Sequence, residues 1–159
     1  MDPFWMQMDE MLTTAYRSIW KVEEVMLRHL SNSSLSLSEM HMLESIGKKK
    51  NEGVTVTDIA QDLDITLPSV TAMVKRLEKK GYITKAKSNE DARRVQIVLT
   101  NEGRRAEIAH RYYHRRMVRA ITRDMNEQEK AAVLSGLGKM IDFMRLSVED
   151  YNRGRDDEQ

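Results

Sequence analysis

Residues 66 to 100, TLPSVTAMVKRLEKKGYITKAKSNEDARRVQIVLT, place a helix, a glycine turn and a basic-tipped hairpin in direct succession, and few folds accommodate that order. Thr66 is placed to cap a helix with Pro68 in its first turn, and Val70, Met73, Val74 and Leu77 recur at helical spacing as an inward face. The opposite face holds Pro68, Ala72, Lys75 and Lys79, flanked by Ser69, Thr71 and Arg76. Small polar and cationic groups so arranged suit a DNA major groove, and they equally describe an amphipathic surface helix with solvated lysines. The residues that follow favour the groove. Gly81 stops the helix, Tyr82-Ile83-Thr84 opens a strand, Ser88 to Arg94 is a polar tip, and Val95 to Leu99 returns as a β-branched strand. Arg93 and Arg94 then stand on a projecting hairpin, where arginine can enter a minor groove or clamp phosphate. Asp91 can orient Arg93 through a bidentate pair, or form a solvated turn pair of little energetic weight. The layout predicts a winged helix-turn-helix that binds double-stranded DNA through Thr66, Pro68, Ser69, Thr71, Lys75, Arg76, Lys79, Asp91, Arg93 and Arg94.

The remainder predicts helices, giving a mainly α fold of six helices with a small β wing. From Trp5 to about Leu30, Met8, Leu12, Ala15, Ile19, Val22, Met26 and Leu30 recur at spacings of three and four. Leu35-Ser36-x-x-Glu39-Met40 is a capping box with a hydrophobic staple, opening a helix that runs out near Gly47. Thr55-x-x-Asp58 caps a short helix with Ile59, Ala60 and Leu63 inward, and Asp64-Ile65 turns into the helix that starts at Thr66. Thr100 launches a long helix to about Thr122, and Asn126-x-x-Glu129 caps the last, whose stripe is Val133, Leu137, Met140, Ile141, Met144 and Val148. The chain reads as a single unit of residues 1–159, with a DNA-binding lobe at 36–100 and a helical dimerisation region at 5–32 and 101–150. The first helix carries further apolar residues at Tyr16, Trp20 and Leu27, more than one small domain readily covers. Pairing the terminal helices of two copies, as an intertwined homodimer, would bury that surface and set two recognition helices for successive major grooves.

The net charge of +1 conceals a segregation. Residues 65 to 100 hold eight Lys/Arg against three Asp/Glu and residues 101 to 123 seven against two, while residues 1 to 64 hold six against eleven and 124 to 159 five against nine. The positive field is therefore concentrated at and just beyond the proposed DNA surface, although arginines of the second block can also pair with acidic neighbours. No apolar run approaches membrane-spanning length, and the opening MDPFWMQMDE has neither the basic flank nor the apolar core of a signal peptide, so a cytoplasmic protein without membrane contact is expected. With no cysteine there are no disulfides or thiolate metal sites. An enzyme fares poorly: no Gly-rich phosphate loop occurs, no Ser/His/Asp set is suggested by spacing, and His110-x-x-x-His114 lacks the glutamate of a zinc hydrolase helix. No cofactor is expected.

Ser69-Val70-Thr71, Leu77-Glu78, Gly81-Tyr82-Ile83, Asp91-x-Arg93 and Leu99-Thr100 together resemble the MarR (multiple antibiotic resistance regulator) family, over roughly residues 8 to 148. The resemblance implies a helix equivalent to 66–80 in the major groove, an arginine at Arg93 in the minor groove, and dimerisation through the terminal helices. A closer resemblance is to the fatty-acid-biosynthesis repressor (FabT-like) branch, through Leu37-Ser38-Glu39-Met40-His41, Ile46-Gly47-Lys48, Val56-Thr57-Asp58-Ile59-Ala60, Ile65-Thr66-Leu67, His110-x-x-x-His114, Met117-Val118 and Gly136-Leu137. It implies repression of fatty-acid-synthesis genes on palindromic operators, with DNA affinity raised by long-chain acyl groups on acyl carrier protein. The chain departs from that branch in its longer Lys49 to Gly53 loop and its acidic Asp156 to Glu158 tail.

For an effector, Met40, His41, His110, His114 and Met117 mark the expected pocket, where methionines would suit a flexible acyl chain or serve as plain core filler. The alternative is a metal-responsive or small-molecule-responsive regulator. His110 and His114 are i, i+4 on one helix face, His41 can approach them, and Glu24 or Glu107 can complete a zinc site, as zinc-sensing members of the family use His and carboxylates in this region. The His-rich stretch and cysteine of those sensors are missing, and the FabT-like branch has histidine at all three places. Arg111, Arg115, Arg116 and Arg119 can attract an acidic carrier protein, face DNA or be solvated.

Overall fold

The computed structural model describes residues 2–30, 35–49, 53–87 and 95–156. It divides into two compact units, Met1–Tyr113 and His114–Gln159. In order the elements are α1 (Pro3–Leu30), α2 (Leu37–Lys48), α3 (Val56–Leu63), α4 (Leu67–Lys79), β1 (Ile83–Lys87), β2 (Val95–Leu99), α5 (Asn101–Thr122) and α6 (Glu127–Asp156).

Local chemistry sets the boundaries in the first unit. At the start of α2, Ser36 N–H donates to Glu39 Oε2 (2.8 Å) and Glu39 N–H to Ser36 Oγ (3.3 Å), so two donors with no intrahelical partner are satisfied reciprocally. Thr55 and Asp58 do the same for α3. There Asp64, at φ 51, takes the left-handed turn that ends the helix, and Ile65 N–H reaches back to Ala60 O (3.1 Å). Helix α4 ends where Gly81 adopts φ +80, with Gly81 N–H on Glu78 O and Tyr82 N–H on Leu77 O, both 3.0 Å. That Schellman pattern reverses the chain into β1.

Strands β1 and β2 pair antiparallel from Ile83 with Leu99 to Lys87 with Val95, and Val54 adds a bridge to Ile97 through N–H to carbonyl bonds of 3.0 and 2.8 Å. The core of this unit gathers Leu35, Met40, Met42, Leu43 and Ile46, Ile59, Val70, Val74 and Leu77, and Ile83 and Ile97, joined by Leu27 from α1. The inward stripe expected at Val70, Met73, Val74 and Leu77 is buried throughout. Thr100 welds the hairpin to α5: its N–H donates to Tyr82 O (3.0 Å), its hydroxyl donates to Gly81 O (2.7 Å), and it accepts from Gly103 N–H (3.2 Å).

Most of the α1 stripe stays open. Met8, Leu12, Ile19 and Val22, together with Phe4, Trp5, Tyr16 and Trp20, are exposed, whereas Leu27 turns into the core. In the second unit the Asn126 and Glu129 capping box opens α6 through bonds of 2.7 and 2.9 Å, and Val133, Leu137, Ile141, Met144 and Val148 are exposed along it, as are Leu134 and Phe143. No helix among the described residues is long and apolar enough to cross a membrane.

The Thr55 hydrogen bonds, with the Lys49 ammonium beside them, hold the Asp58 carboxyl at about 2 against its ordinary 3.8. A depressed folded-state value means that this contribution is complete above the ordinary carboxylate range and is lost as pH falls toward the folded value. The stability difference between wild type and Asp58→Asn should therefore shrink as pH drops from about 5 to about 2, as read from urea midpoints. A constant difference over that range would contradict the assignment.

Candidate nucleic-acid interface

The exposed face of α4 is built by anchoring its other side. With Val70 and Leu77 fully buried and Met73 and Val74 nearly so, Pro68, Ser69, Thr71, Ala72, Lys75, Arg76 and Lys79 are all left exposed. Thr66 caps the helix and its hydroxyl pairs with Ser69 Oγ at 2.9 Å. Thr71 donates its hydroxyl to Leu67 O (2.9 Å), so toward a ligand it offers oxygen lone pairs rather than the proton. Lys75 and Lys79 make no ion pair among the described residues. Arg76 is different. Its Nε lies 3.5 Å from Oε1 of Glu39 on α2, a carboxylate that is 2% exposed and also receives Lys80 Nζ at 2.7 and 3.0 Å. Burial works against ionisation of Glu39, but the Lys80 ammonium and the Ser36 N–H outweigh it and hold the carboxyl below its ordinary value.

The wing leaves the same lobe. Lys85 Nζ on β1 meets Glu78 Oε2 of α4 at 2.6 Å, which ties the first strand to the helix. Asp91, Arg93 and Arg94, the expected tip residues, lie outside the described residues. In the second basic block, Arg105 pairs with Glu102 (2.8 Å) and Arg111 with Glu107 (2.9 Å), whereas Arg115, Arg116 and Arg119 are exposed.

Of the expected effector residues, Met40 is wholly buried in the core, and His110 is fully buried with its Nδ1 2.6 Å from Glu44 Oε1. His41 and His110 stand edge to face, ring centroids 6.1 Å apart. His114 and Met117 belong to the second unit. The structure brings Glu23, His41 and His110 together, with one ligand atom from each within 4.8 Å of the others. Glu23, rather than the expected Glu24 or Glu107, is the carboxylate there. It lies one helical turn before buried Leu27 and shares its inward face, while Glu24 is rotated outward onto Lys21 and Arg28, and Glu107 packs under Gly47 and pairs with Arg111. The i, i+4 relation of Glu23 to Leu27 was the sequence signal that separates the two neighbours. Glu44, the partner of His110, had no such local signal.

The MarR family signature matches residues 35–95, from the start of α2 to the start of β2. The fold is similar to the crystal structure of Streptococcus pneumoniae FabT in complex with DNA, with a TM-score of 0.76 and 34% identity over 89% of this chain and 97% of that one. In sequence the chain is 25% identical to the Bacillus subtilis repressor YetL over 128 residues, 80% of this chain and 75% of YetL. It is 29% identical over 90 residues to the uncharacterized B. subtilis regulator YhjH, of which the match spans 50%. With the helix order, the paired wing strands and these likenesses in agreement, the chain belongs to the MarR family of DNA-binding transcriptional regulators.

Proposed function

We propose that this protein is a sequence-specific repressor that binds palindromic operators as a homodimer and controls fatty-acid biosynthesis genes. Residues 36–100 form the DNA-binding lobe, and 5–32 with 101–150 form the dimerisation region. The observation that carries the reading is the outward face of α4, where Ser69, Ala72, Lys75 and Lys79 are exposed on a helix pinned by Val70 and Leu77. The likeness to FabT supports the choice of target class. Long-chain acyl groups on acyl carrier protein would act as effector, with Arg115, Arg116 and Arg119 offering cations to that acidic partner. Regulation then follows from differential binding of the effector to two states that differ in the separation of the recognition helices.

Fluorescence anisotropy with a labelled palindromic duplex tests the reading. Lys75→Ala should weaken binding and flatten the slope of log K against log salt by about 1, the loss of one phosphate contact. Arg93→Ala should weaken binding to the palindrome, and unchanged affinity in both variants would contradict the interface. Acylated carrier protein should shift the isotherm where the unacylated form does not.

A second reading is favoured by one observation, the meeting of Glu23, His41 and His110. One carboxylate and two imidazoles fit zinc chemistry, and the Glu44 carboxylate, 2.6 Å from His110 Nδ1, would orient a ligating ring. Zinc bound there would act as effector in place of an acyl group. Competition against a chromophoric chelator should then show zinc uptake that Glu23→Gln and His41→Ala abolish; uptake unchanged in both removes this reading.

A further inference from the structure

Glu39 lies outside the expected DNA-contacting set, yet its surroundings tie it to the face that reads DNA. It sits in the first turn of α2, 2% exposed, and closes the Ser36 capping box. Capping alone does not require burial or charge, since glutamine at this position serves a capping box as well. Its two oxygens also meet two cations at the C-terminal end of α4: Lys80, the residue that caps the helix, at 2.7 and 3.0 Å, and Arg76 Nε at 3.5 Å. Lys80 is only 27% exposed, whereas Arg76 remains 56% exposed on the flank of the outward face. One buried anion is thus shared between a cation drawn inward and a cation that still reaches solvent.

We propose that Glu39 is a positioning residue for DNA recognition, holding Arg76 in one pose and withholding the charge of Arg76 and Lys80 from indiscriminate phosphate contact. The inference rests on α4 being the DNA-reading helix. An arginine on a long flexible stem discriminates bases only when its guanidinium is held, because base-edge recognition is bidentate and directional, whereas phosphate attraction tolerates any pose. A buried carboxylate 3.5 Å from the Nε edge of the guanidinium supplies that restraint, and by offsetting positive charge it lowers affinity for unselected duplex. Arg76 so held contributes to selected sites and little to random ones.

The test uses the full-length chain, a random-sequence 30-base-pair duplex, and a duplex selected from a random pool by the wild-type protein. Salt-dependent binding of wild type to either duplex is the check on the DNA-binding reading itself; its absence sinks that reading before the present one is reached. Given binding, Glu39→Gln should preserve the cap while steepening the random-duplex salt slope by about 1 to 2, one or two added phosphate contacts. The preference for the selected duplex should fall severalfold. Adding Arg76→Gln to Glu39→Gln should reverse at least half of the steepening, which a merely structural role for Glu39 would not produce. An unchanged slope and an unchanged preference in Glu39→Gln overturn the proposal.

Should Glu39→Gln unfold, Arg76→Gln alone decides. A restrained arginine predicts a random-duplex slope within about 0.3 of wild type and weaker binding to the selected duplex, whereas Lys75→Gln flattens the slope by about 1. Equal flattening by Arg76→Gln and Lys75→Gln overturns the proposal.

Discussion

Replacing Gly103 by alanine should destabilise the protein by about 3 kcal/mol or more, at the upper end of what overpacking costs. A Cβ at this position would lie 2.0 Å from the Tyr82 carbonyl oxygen and 3.0 Å from its carbon, and both are backbone atoms. They cannot yield cheaply. The Tyr82 carbonyl accepts from Thr100 N–H, the Tyr82 N–H closes the Schellman turn on Leu77, and the Tyr82 side chain is buried. Relief therefore requires α5 to lift away from the junction of α4 and the wing. The urea midpoint should fall steeply, and DNA affinity with it, because the same junction sets the angle between α4 and the hairpin. A midpoint within experimental error of wild type would show that the contact of α5 with Tyr82 is not as close as described.

Paired substitution of Leu12→Glu and Ile19→Glu should leave each chain folded and prevent two chains from associating. Both side chains are exposed in the single chain, at 37% and 44%, so the charges displace little intrachain packing. They stand two turns apart on the stripe of α1 that continues through Met8 and Val22, an apolar face of the kind that monomeric proteins seldom leave open. Two carboxylates on that face in each copy would be desolvated at a dimer interface without partners. Sedimentation should report a monomer, and far-UV circular dichroism the helix content of wild type. Affinity for a palindrome should drop by about 100-fold or more, since the second half-site no longer benefits from an effective concentration. A dimer that persists would place the interface elsewhere.

Local signals in the chain read through to structure, and long-range ones do not. The boxes at Ser36 and Glu39, Thr55 and Asp58, and Asn126 and Glu129 all close as spaced, because each partner sits three residues from the other and the helix itself brings them together. Gly81 likewise ends α4 by its own conformational freedom. By contrast, Glu39 meets Lys80 across 41 residues and Glu44 meets His110 across 66, pairings that only the tertiary fold decides. Gly103 carried no sequence sign of its contact with Tyr82, since a glycine needed for close approach looks like any other in a helix. Val54 follows a polar stretch of sequence and precedes a helix cap, with no strand pattern of its own, yet it bridges Ile97. The face of α4 was legible because its two sides differ so sharply in character. The depth of Met40 and His110 was not legible, since both read the same from sequence whether exposed at a helix edge or, as found, fully buried.

Selection of duplexes from a random pool, followed by titration of the enriched sequence against random competitor at physiological salt, decides whether two copies of this chain read a palindrome. The expected result is enrichment of an inverted repeat with half-sites about one helical turn apart, two chains per duplex, and a preference of about a thousandfold or more over random sequence. Enrichment of no inverted repeat, or equal binding to selected and random duplexes, would contradict it.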